Sequence, residues 1–279
     1  MDRRVFLHAT GLLGAAVPLL GTSAVRAAPD DAALVRAALD RLAADTMRGL
    51  AVFVLPGPDA YSRVQGTPRP EPGGIESRTD AFLVDALNRY LPFPDLVAVP
   101  LTRALAQGAG SLDLPLAPAP RTADGPLRRV DAGLRRLLEN DATIPLAPAV
   151  ALMLNLQAVR VHPASVLGPF LSPFARLSHT HKARVFELME GADPALVGLL
   201  DRHLPEPLRG SVSGLLKFLA GALLELTALG SCSEWAVFDP DTKRVRERPV
   251  GWRISGYTPS IDGWDEHKGY YQGRRAVTG

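Results

Sequence analysis

The stretch SHTHKARVFELM, residues 178–189, carries the clearest structural pattern in this chain of 279 residues. Val185 and Met189 are four residues apart, so they lie on one face of a helix. Ser178 stands immediately before the periodic run, where a serine hydroxyl can accept a hydrogen bond from a free backbone N–H. The stretch therefore predicts an amphipathic helix that begins after Ser178 and ends at Gly191.

The same periodicity recurs on both sides of this stretch. It predicts further helices over residues 30–55, 77–90, 95–107, 131–140, 148–161, 194–200 and 208–226. Asp193 is the expected cap of the helix at 194–200, with Pro194 in its first position. Residues 148–161 are apolar nearly all round and are expected to be buried. The sequence thus predicts a mainly α fold, with about six to eight helices in a single domain.

Two kinds of segment interrupt the helical pattern. Residues 56–74 are rich in Pro and Gly, and residues 114–126 are rich in Pro and Ala; both compositions favour long loops. Residues 51–55 are the clearest candidate for a β-strand, and residues 235–238 are the next.

The stretch 208–226 approaches the length of a membrane-spanning helix, but Lys217 and Glu225 would each cost about 2.5 to 3.5 kcal/mol inside a bilayer. A buried core helix is the favoured interpretation.

The N-terminus has the three parts of an export signal. Arg3 and Arg4, followed by Phe6 and Leu7, resemble the twin-arginine export motif, and an apolar stretch follows at residues 11–21. Cleavage is expected after residue 27 or 28. An ordinary secretory peptide with two arginines is the alternative, and the apolar stretch is too short for the usual membrane anchor. The resemblance implies export of an already folded protein.

Composition narrows the functional classes. The formal charge is +2, and no run of Lys or Arg forms a stripe that could neutralise several phosphates, so nucleic acid is not an expected partner. Cys232 is the single cysteine, which excludes an intramolecular disulfide. A lone cysteine is more often a small buried apolar residue than a reactive thiol.

Aromatic residues concentrate in the C-terminal tail, residues 231–279. The tail holds all three tryptophans and three of the five tyrosines. Large exposed aromatic patches are unusual on monomers, and Trp and Tyr often anchor interfaces. The rings are therefore expected to be covered, either by the helical body or by a partner chain. The candidate interface residues are Trp252, Tyr257, Trp264, Tyr270 and Tyr271.

No group of residues in the sequence predicts catalysis, a cofactor site or a metal site. His179 and His181 are two residues apart, so they point in different directions on a helix. Residues 210–214, GSVSG, do not have the order of a nucleophile elbow, and Ser211 fits the start of a helix. Asp239 and Asp241 fit turn residues. The fingerprints for dinucleotide, nucleoside triphosphate and covalent haem binding are absent from the sequence.

Residues 170–178, FLSPFARLS, run into residues 182–189, KARVFELM, and together they resemble a known family of small subunits. That family is the gluconate 2-dehydrogenase subunit 3-like proteins, which accompany membrane-associated sugar and alcohol dehydrogenases. The similarity covers mainly residues 165–230. Residues 251–257 and 263–274 also look like the ends of related accessory proteins, whereas the Pro-rich insertions and the length depart from the family pattern.

The resemblance implies a non-catalytic subunit that binds a large FAD-dependent oxidoreductase of the glucose-methanol-choline type. It implies no cofactor in this chain, FAD in the partner, and export of the pair by the twin-arginine translocase to the periplasm or the outer face of the membrane. Electrons leave such flavins for a cytochrome or a quinone, so a cytochrome c subunit is a further candidate partner. The expected organisation is a signal at residues 1–28, a helical domain at 29–230 and the tail at 231–279.

Two other functional classes remain open at the level of sequence. The chain could be an exported enzyme of unrecognised type that uses Asp262, Asp265, Glu266 and His267 in the tail. It could also be a free-standing binding or structural protein of the cell envelope.

Overall fold

The fold is mainly α, as the periodicity predicts. The computed structural model describes residues 3–16, 18–19, 30–90, 94–108, 114, 124–139, 144–206 and 208–258. Those residues form twelve α-helices, one short 3₁₀ helix after the eighth of them, and a single two-stranded sheet. The boundaries predicted for the signal, the helical domain and the tail stay predictions.

The helices are numbered here in chain order. They are α1 (Arg3–Ala9), α2 (Leu12–Ala16), α3 (Asp31–Val54), α4 (Ala60–Gln65), α5 (Thr79–Arg89), α6 (Pro94–Gly108), α7 (Asp124–Glu139), α8 (Leu146–Val161), α9 (His179–Glu190), α10 (Pro194–His203), α11 (Val212–Cys232) and α12 (Val250–Ser255). The 3₁₀ helix spans Pro163–Val166, and the strands are β1 (Phe238–Asp239) and β2 (Arg244–Val245).

Two helices, α3 and α8, form the centre of the molecule. Helix α3 contacts α2, α4, α5, α7, α8 and α11, and α8 also contacts α1, α5, α6 and α9. Residues 146–159 of α8 are all buried, which confirms the expectation from its uniform apolarity. The core is therefore continuous from the first helices of the chain to the last long one.

The predicted strand at residues 51–55 is wrong, because α3 continues through Val54. The β-branched and aromatic run matches a strand in composition, but its residues extend the periodic face of a long helix. Ala51 and Val52 are buried on that face, and tertiary packing overrides the local β propensity. Of the second strand candidate, residues 235–238, only Phe238 lies in a strand.

A short helix lies within the Pro-rich stretch that predicts a loop. Asp59 caps α4 by accepting a hydrogen bond from the backbone N–H of Ser62 at 2.9 Å, and Gly66 ends the helix with a φ of 89°. Because of this helix, the described residues between 30 and 232 contain nine α-helices. The second Pro-rich stretch, residues 114–126, lies mostly outside the described residues.

The cap predictions around the opening stretch are confirmed. The Ser178 hydroxyl accepts from the backbone N–H of His181 at 3.3 Å, and α9 ends at Gly191. Asp193 caps α10 through the N–H of Leu196 at 2.9 Å, with Pro194 in the first helical position. The N-terminal ends of these two helices were therefore readable from local sequence.

Helix α11 is less buried than a core helix. It is the single helix in the described part of the chain that is long and apolar enough to cross a bilayer, and 33% of its most apolar window is buried. Leu216, Leu219 and Leu223 face the core. The expectation of a buried core helix holds for this inner face alone.

The C-terminal part of the described chain folds back on α11. The strands β1 and β2 pair antiparallel, with Phe238 opposite Val245. Helix α12 packs on the last turn of α11, where Gly251 approaches Cys232 so closely that an added Cβ would lie 2.5 Å from the Cα of Cys232. The start of the tail therefore packs on the helical body.

Candidate functional site

The most elaborate polar arrangement in the described residues joins α3 to residues 170–178, which we call the central segment. It includes Asp45 and Thr46 of α3, Asn155 of α8 and Lys182 of α9, all of which are buried. Burying a polar group is costly unless it is hydrogen-bonded. The contacts of these side chains therefore define where the central segment must lie.

Asp45 holds the start of the central segment. One carboxylate oxygen, Oδ2, accepts from the backbone N–H groups of Leu171 at 2.9 Å and Ser172 at 2.8 Å. The other, Oδ1, accepts from the hydroxyl of Tyr61 at 2.5 Å. Burial, together with this hydrogen bond to Asp45, raises the pKa of Tyr61 to about 12. The Tyr61 ring stacks on Phe170, with centroids 3.9 Å apart.

Asn155 holds the middle of the central segment. Its Oδ1 accepts from the Ser172 hydroxyl at 2.6 Å and from the backbone N–H of Phe174 at 3.0 Å. Its Nδ2 donates to Thr46 Oγ1 at 3.1 Å, and the Thr46 hydroxyl donates to Ser172 Oγ at 3.1 Å. One amide thus ties two helices and the central segment together.

Lys182 is enclosed at the far end of the same cluster. Its Nζ donates to the carbonyl of Gly49 at 2.8 Å and to Oε1 of Gln65 at 2.7 Å, and it lies 5.5 Å from the centroid of the Phe174 ring. Burial lowers the pKa of Lys182 to about 7, and the nearby charge of Asp59 opposes that shift only in part. The amine can therefore lose its proton near neutral pH.

A glycine in α3 allows the central segment to approach the helix backbone. A Cβ built at Gly49 would lie 2.7 Å from the Cα of Ala175. The cluster therefore combines close backbone packing with a fully paired set of polar side chains. These contacts can hold residues 170–178 in one position.

Sequence reasoning missed Asp45, Asn155 and Lys182. The sequence does mark them in part, because each is a polar residue at an otherwise apolar position of a helix. Periodicity marks such positions as buried, but it does not say which distant groups will pair with them.

The two histidines of α9 diverge as the spacing predicts. The His179 ring lies 4.9 Å from the Phe53 ring, whereas His181 stacks on His162 with centroids 4.6 Å apart. The partnership of His181 with His162 was not foreseen. In the part of the chain that the structure describes, no group of three or more His, Cys, Asp or Glu residues could hold a metal ion.

Two of the five candidate interface aromatics lie within the described residues. Trp252 Nε1 donates to Glu234 Oε1 at 2.5 Å, and its ring meets Tyr257 edge-on at 5.3 Å. Trp252 is half-buried and Tyr257 is 48% exposed. Trp264, Tyr270 and Tyr271 lie outside the described residues. A shallow cavity of about 400 Å³ adjoins this region and is lined by Val245, Glu247, Arg248, Trp252 and Thr258.

The outer face of α11 is a stripe of exposed and half-buried residues at helical spacing. It consists of Gly214, Phe218, Gly221, Ala222, Glu225 and Leu229, of which Gly221 and Ala222 are half-buried and Phe218 and Leu229 are more than half exposed. A Cβ added at Gly214 or Gly221 would meet nothing within 4 Å. This face therefore offers apolar side chains beside bare backbone, to which another molecule can come close.

The remaining candidate residues have simple surroundings. Cys232 is exposed, so the expectation of a buried cysteine is wrong; it lies in the last helical position of α11, on the solvent side. Asp239 accepts from the backbone N–H groups of Asp241 and Thr242, as expected of a turn residue. Ser211 occupies the N-cap position of α11. Asp262, Asp265, Glu266 and His267 lie outside the described residues.

Comparisons with known proteins identified no relative of this chain. No protein-family model, no curated protein and no solved structure matches the chain.

Proposed function

We propose that this protein is a non-catalytic small subunit of an exported FAD-dependent dehydrogenase that oxidises a sugar or an alcohol. The observation that carries the proposal is the outer face of α11, where Phe218 and Leu229 are exposed on a long apolar helix. Large apolar side chains exposed together on one helix face mark a binding site more often than a free surface. In this proposal, the catalytic subunit covers it.

The charges of α11 favour a protein partner over a bilayer. Lys217 and Glu225 are both exposed on the part of the helix that would enter the membrane. Each would cost about 2.5 to 3.5 kcal/mol near the bilayer centre. In a protein interface, Lys217 can remain in water at the rim, and Glu225, which lies within the outer face, can meet an opposite charge on the partner.

The end of α11 extends the candidate interface. Helix α12 packs there and brings Trp252 and the exposed ring of Tyr257 to the end at which Leu229 lies. Amphipathic rings of this kind supply much of the binding energy where they become fully covered. FAD, the substrate and the electron path belong to the partner in this proposal, and the predicted signal at Arg3 and Arg4 exports both chains.

Co-production with the proposed FAD-dependent catalytic subunit tests the proposal directly. Purification through this chain is expected to recover a yellow, FAD-containing partner. Gly221→Leu should reduce the recovered flavin about tenfold or more, because the new side chain projects from the outer face of α11 into the partner. Gly198→Leu in α10 is the matched control, since a Cβ there also meets nothing within 4 Å.

The free chain should not be destabilised by either substitution, because leucine favours a helix over glycine by up to about 1 kcal/mol. Thermal unfolding of the isolated variants checks this. Absence of a flavoprotein from the purified material would contradict the proposal. Equal loss of flavin in both variants would assign binding to some other surface.

A further inference from the structure

Most of the apolar side chains that the structure describes in the predicted export signal are buried in the folded body. Phe6, Leu7 and Leu12 are each 0% exposed, and Ala15 and Ala16 are also buried. Helix α1 contacts α6, α7 and α8, and α2 contacts α3 and α7. Residues 3–16 therefore fill a groove of the helical core, and we call them the docked segment.

The fit of the docked segment depends on one turn. Gly11 joins α1 to α2 with a φ of +76°, a conformation that residues with a side chain rarely adopt. A Cβ at Gly11 would lie 2.7 Å from the carbonyl oxygen of Leu171 and 2.9 Å from Cδ of Pro173. The turn is thus seated directly on the central segment.

Docking and recognition by the export machinery need the same side chains. A translocase can read the apolar stretch behind the arginine pair only when that stretch is accessible. Phe6, Leu7 and Leu12 cannot contact the core and a receptor at once. The two uses of the segment are therefore mutually exclusive.

We propose that the folded chain holds its own export signal masked in this groove, and that release of residues 3–16 from the groove is required for export. That residues 3–16 belong to an export signal rests on the proposed twin-arginine export. That the segment is masked rests on the burial of its side chains. Such masking makes the groove an autoinhibitory site whose occupant is the N-terminus of the same chain.

Gly11→Ala tests the mask in the full-length chain, and Gly14→Ala is its matched control. Both change one glycine of the segment to alanine, but a Cβ at Gly14 meets nothing within 4 Å. Thermolysin, which cuts before large apolar residues, is expected to cleave within residues 5–13 about tenfold faster in Gly11→Ala than in the wild type or Gly14→Ala. Mass spectrometry of the new N-termini measures the rate.

Export is measured in parallel by pulse-chase in cells that have a twin-arginine translocase. Gly11→Ala should be exported at least about twofold faster than Gly14→Ala, because more of it has an accessible signal. Equal cleavage in the two variants would overturn the docking step. Faster cleavage with unchanged export would overturn the regulatory role.

Leu42→Phe provides a second route if Gly11→Ala does not fold. It leaves the signal sequence unchanged. It places a larger side chain in the wall of the groove, where Leu42 Cδ1 lies 3.4 Å from the Cβ position of residue 11, and so reduces the space for the docked segment. It too should speed both cleavage and export, and no change in either would count against the mask. Replacing Arg3 and Arg4 by lysine separates the two proposals: if export persists, the twin-arginine route fails, whereas the thermolysin result for docking stands.

Discussion

The protonation of Lys182 depends strongly on its surroundings. Its two hydrogen-bond acceptors, the Gly49 carbonyl and the Gln65 amide oxygen, are both neutral. Burial beside neutral partners disfavours the charged amine, and the pKa of Lys182 falls to about 7 from its ordinary value of 10.5. The residue therefore links the protonation state of the core to solution pH.

This link predicts a pH dependence of stability with a definite sign. Between about pH 7 and pH 10 the unfolded chain binds the Lys182 proton and the folded chain has lost it, so the free energy of unfolding rises with pH in this window. Lys182→Met should remove that rise, which amounts to a few kcal/mol. Urea unfolding of both proteins at pH 7, 8.5 and 10 measures the difference, and parallel curves would contradict the lowered pKa.

Asp45 supports a second prediction at the same scale. Asp45→Asn places an amide among three donors, the N–H groups of Leu171 and Ser172 and the Tyr61 hydroxyl. We expect a loss of about 2 to 3 kcal/mol in the free energy of unfolding, since a buried donor is left without an acceptor. Asp85→Asn is the control, because Asp85 pairs with the mostly exposed Arg89 on the surface of α5. Similar losses in both variants would argue against a special role for Asp45.

At the scale of elements, the crossing of α3 and α7 is set by a glycine. A Cβ at Gly133 would lie 2.0 Å from the carbonyl oxygen of Asp31, at the start of α3. Arg129, one turn earlier in α7, donates to Asp31 at 2.9 Å and fixes the same contact. The two helices can therefore meet at their observed distance only with glycine at position 133.

Gly133→Ala is expected to destabilise the protein by about 1 to 3 kcal/mol through overpacking. Gly125→Ala in the same helix should be neutral or stabilising by up to about 1 kcal/mol, because nothing lies within 4 Å of its Cβ. Thermal and denaturant unfolding of the pair check the contrast. A stable Gly133→Ala protein with unchanged unfolding would show that the helices separate at little cost.

At the scale of the whole molecule, the N-terminal helices complete the core. Removing residues 1–28 would uncover the groove that Phe6, Leu7 and Leu12 fill. Each such side chain contributes about 1.5 to 3 kcal/mol when fully buried, so a chain that begins at residue 29 should be several kcal/mol less stable than the full chain. It should also bind the dye ANS, which reports exposed apolar surface.

Calorimetry and dye fluorescence of the two forms measure these effects. A shortened chain as stable as the full one, and without dye binding, would show that the groove closes on itself. If the proposed catalytic subunit binds only the outer face of α11, its addition should leave the dye fluorescence from the uncovered groove unchanged.

The sequence by itself determined the helical class, most helix positions and the caps at Ser178 and Asp193. These features depend on side-chain period and on hydrogen bonds between near neighbours, which are local properties of the chain. It also placed His179 and His181 on different sides of α9. The predicted strand at residues 51–55 is wrong, because burial of a long helix face outweighs local β propensity.

Only the tertiary structure decided which polar residues become partners. Asp45, Asn155 and Lys182 come from three helices, and each bonds to groups more than 15 positions away in the chain. The same holds for Phe6 and Leu7, whose burial depends on helices far along the sequence. Contacts at such separations follow from how all the helices pack together, and no local pattern in one helix specifies them.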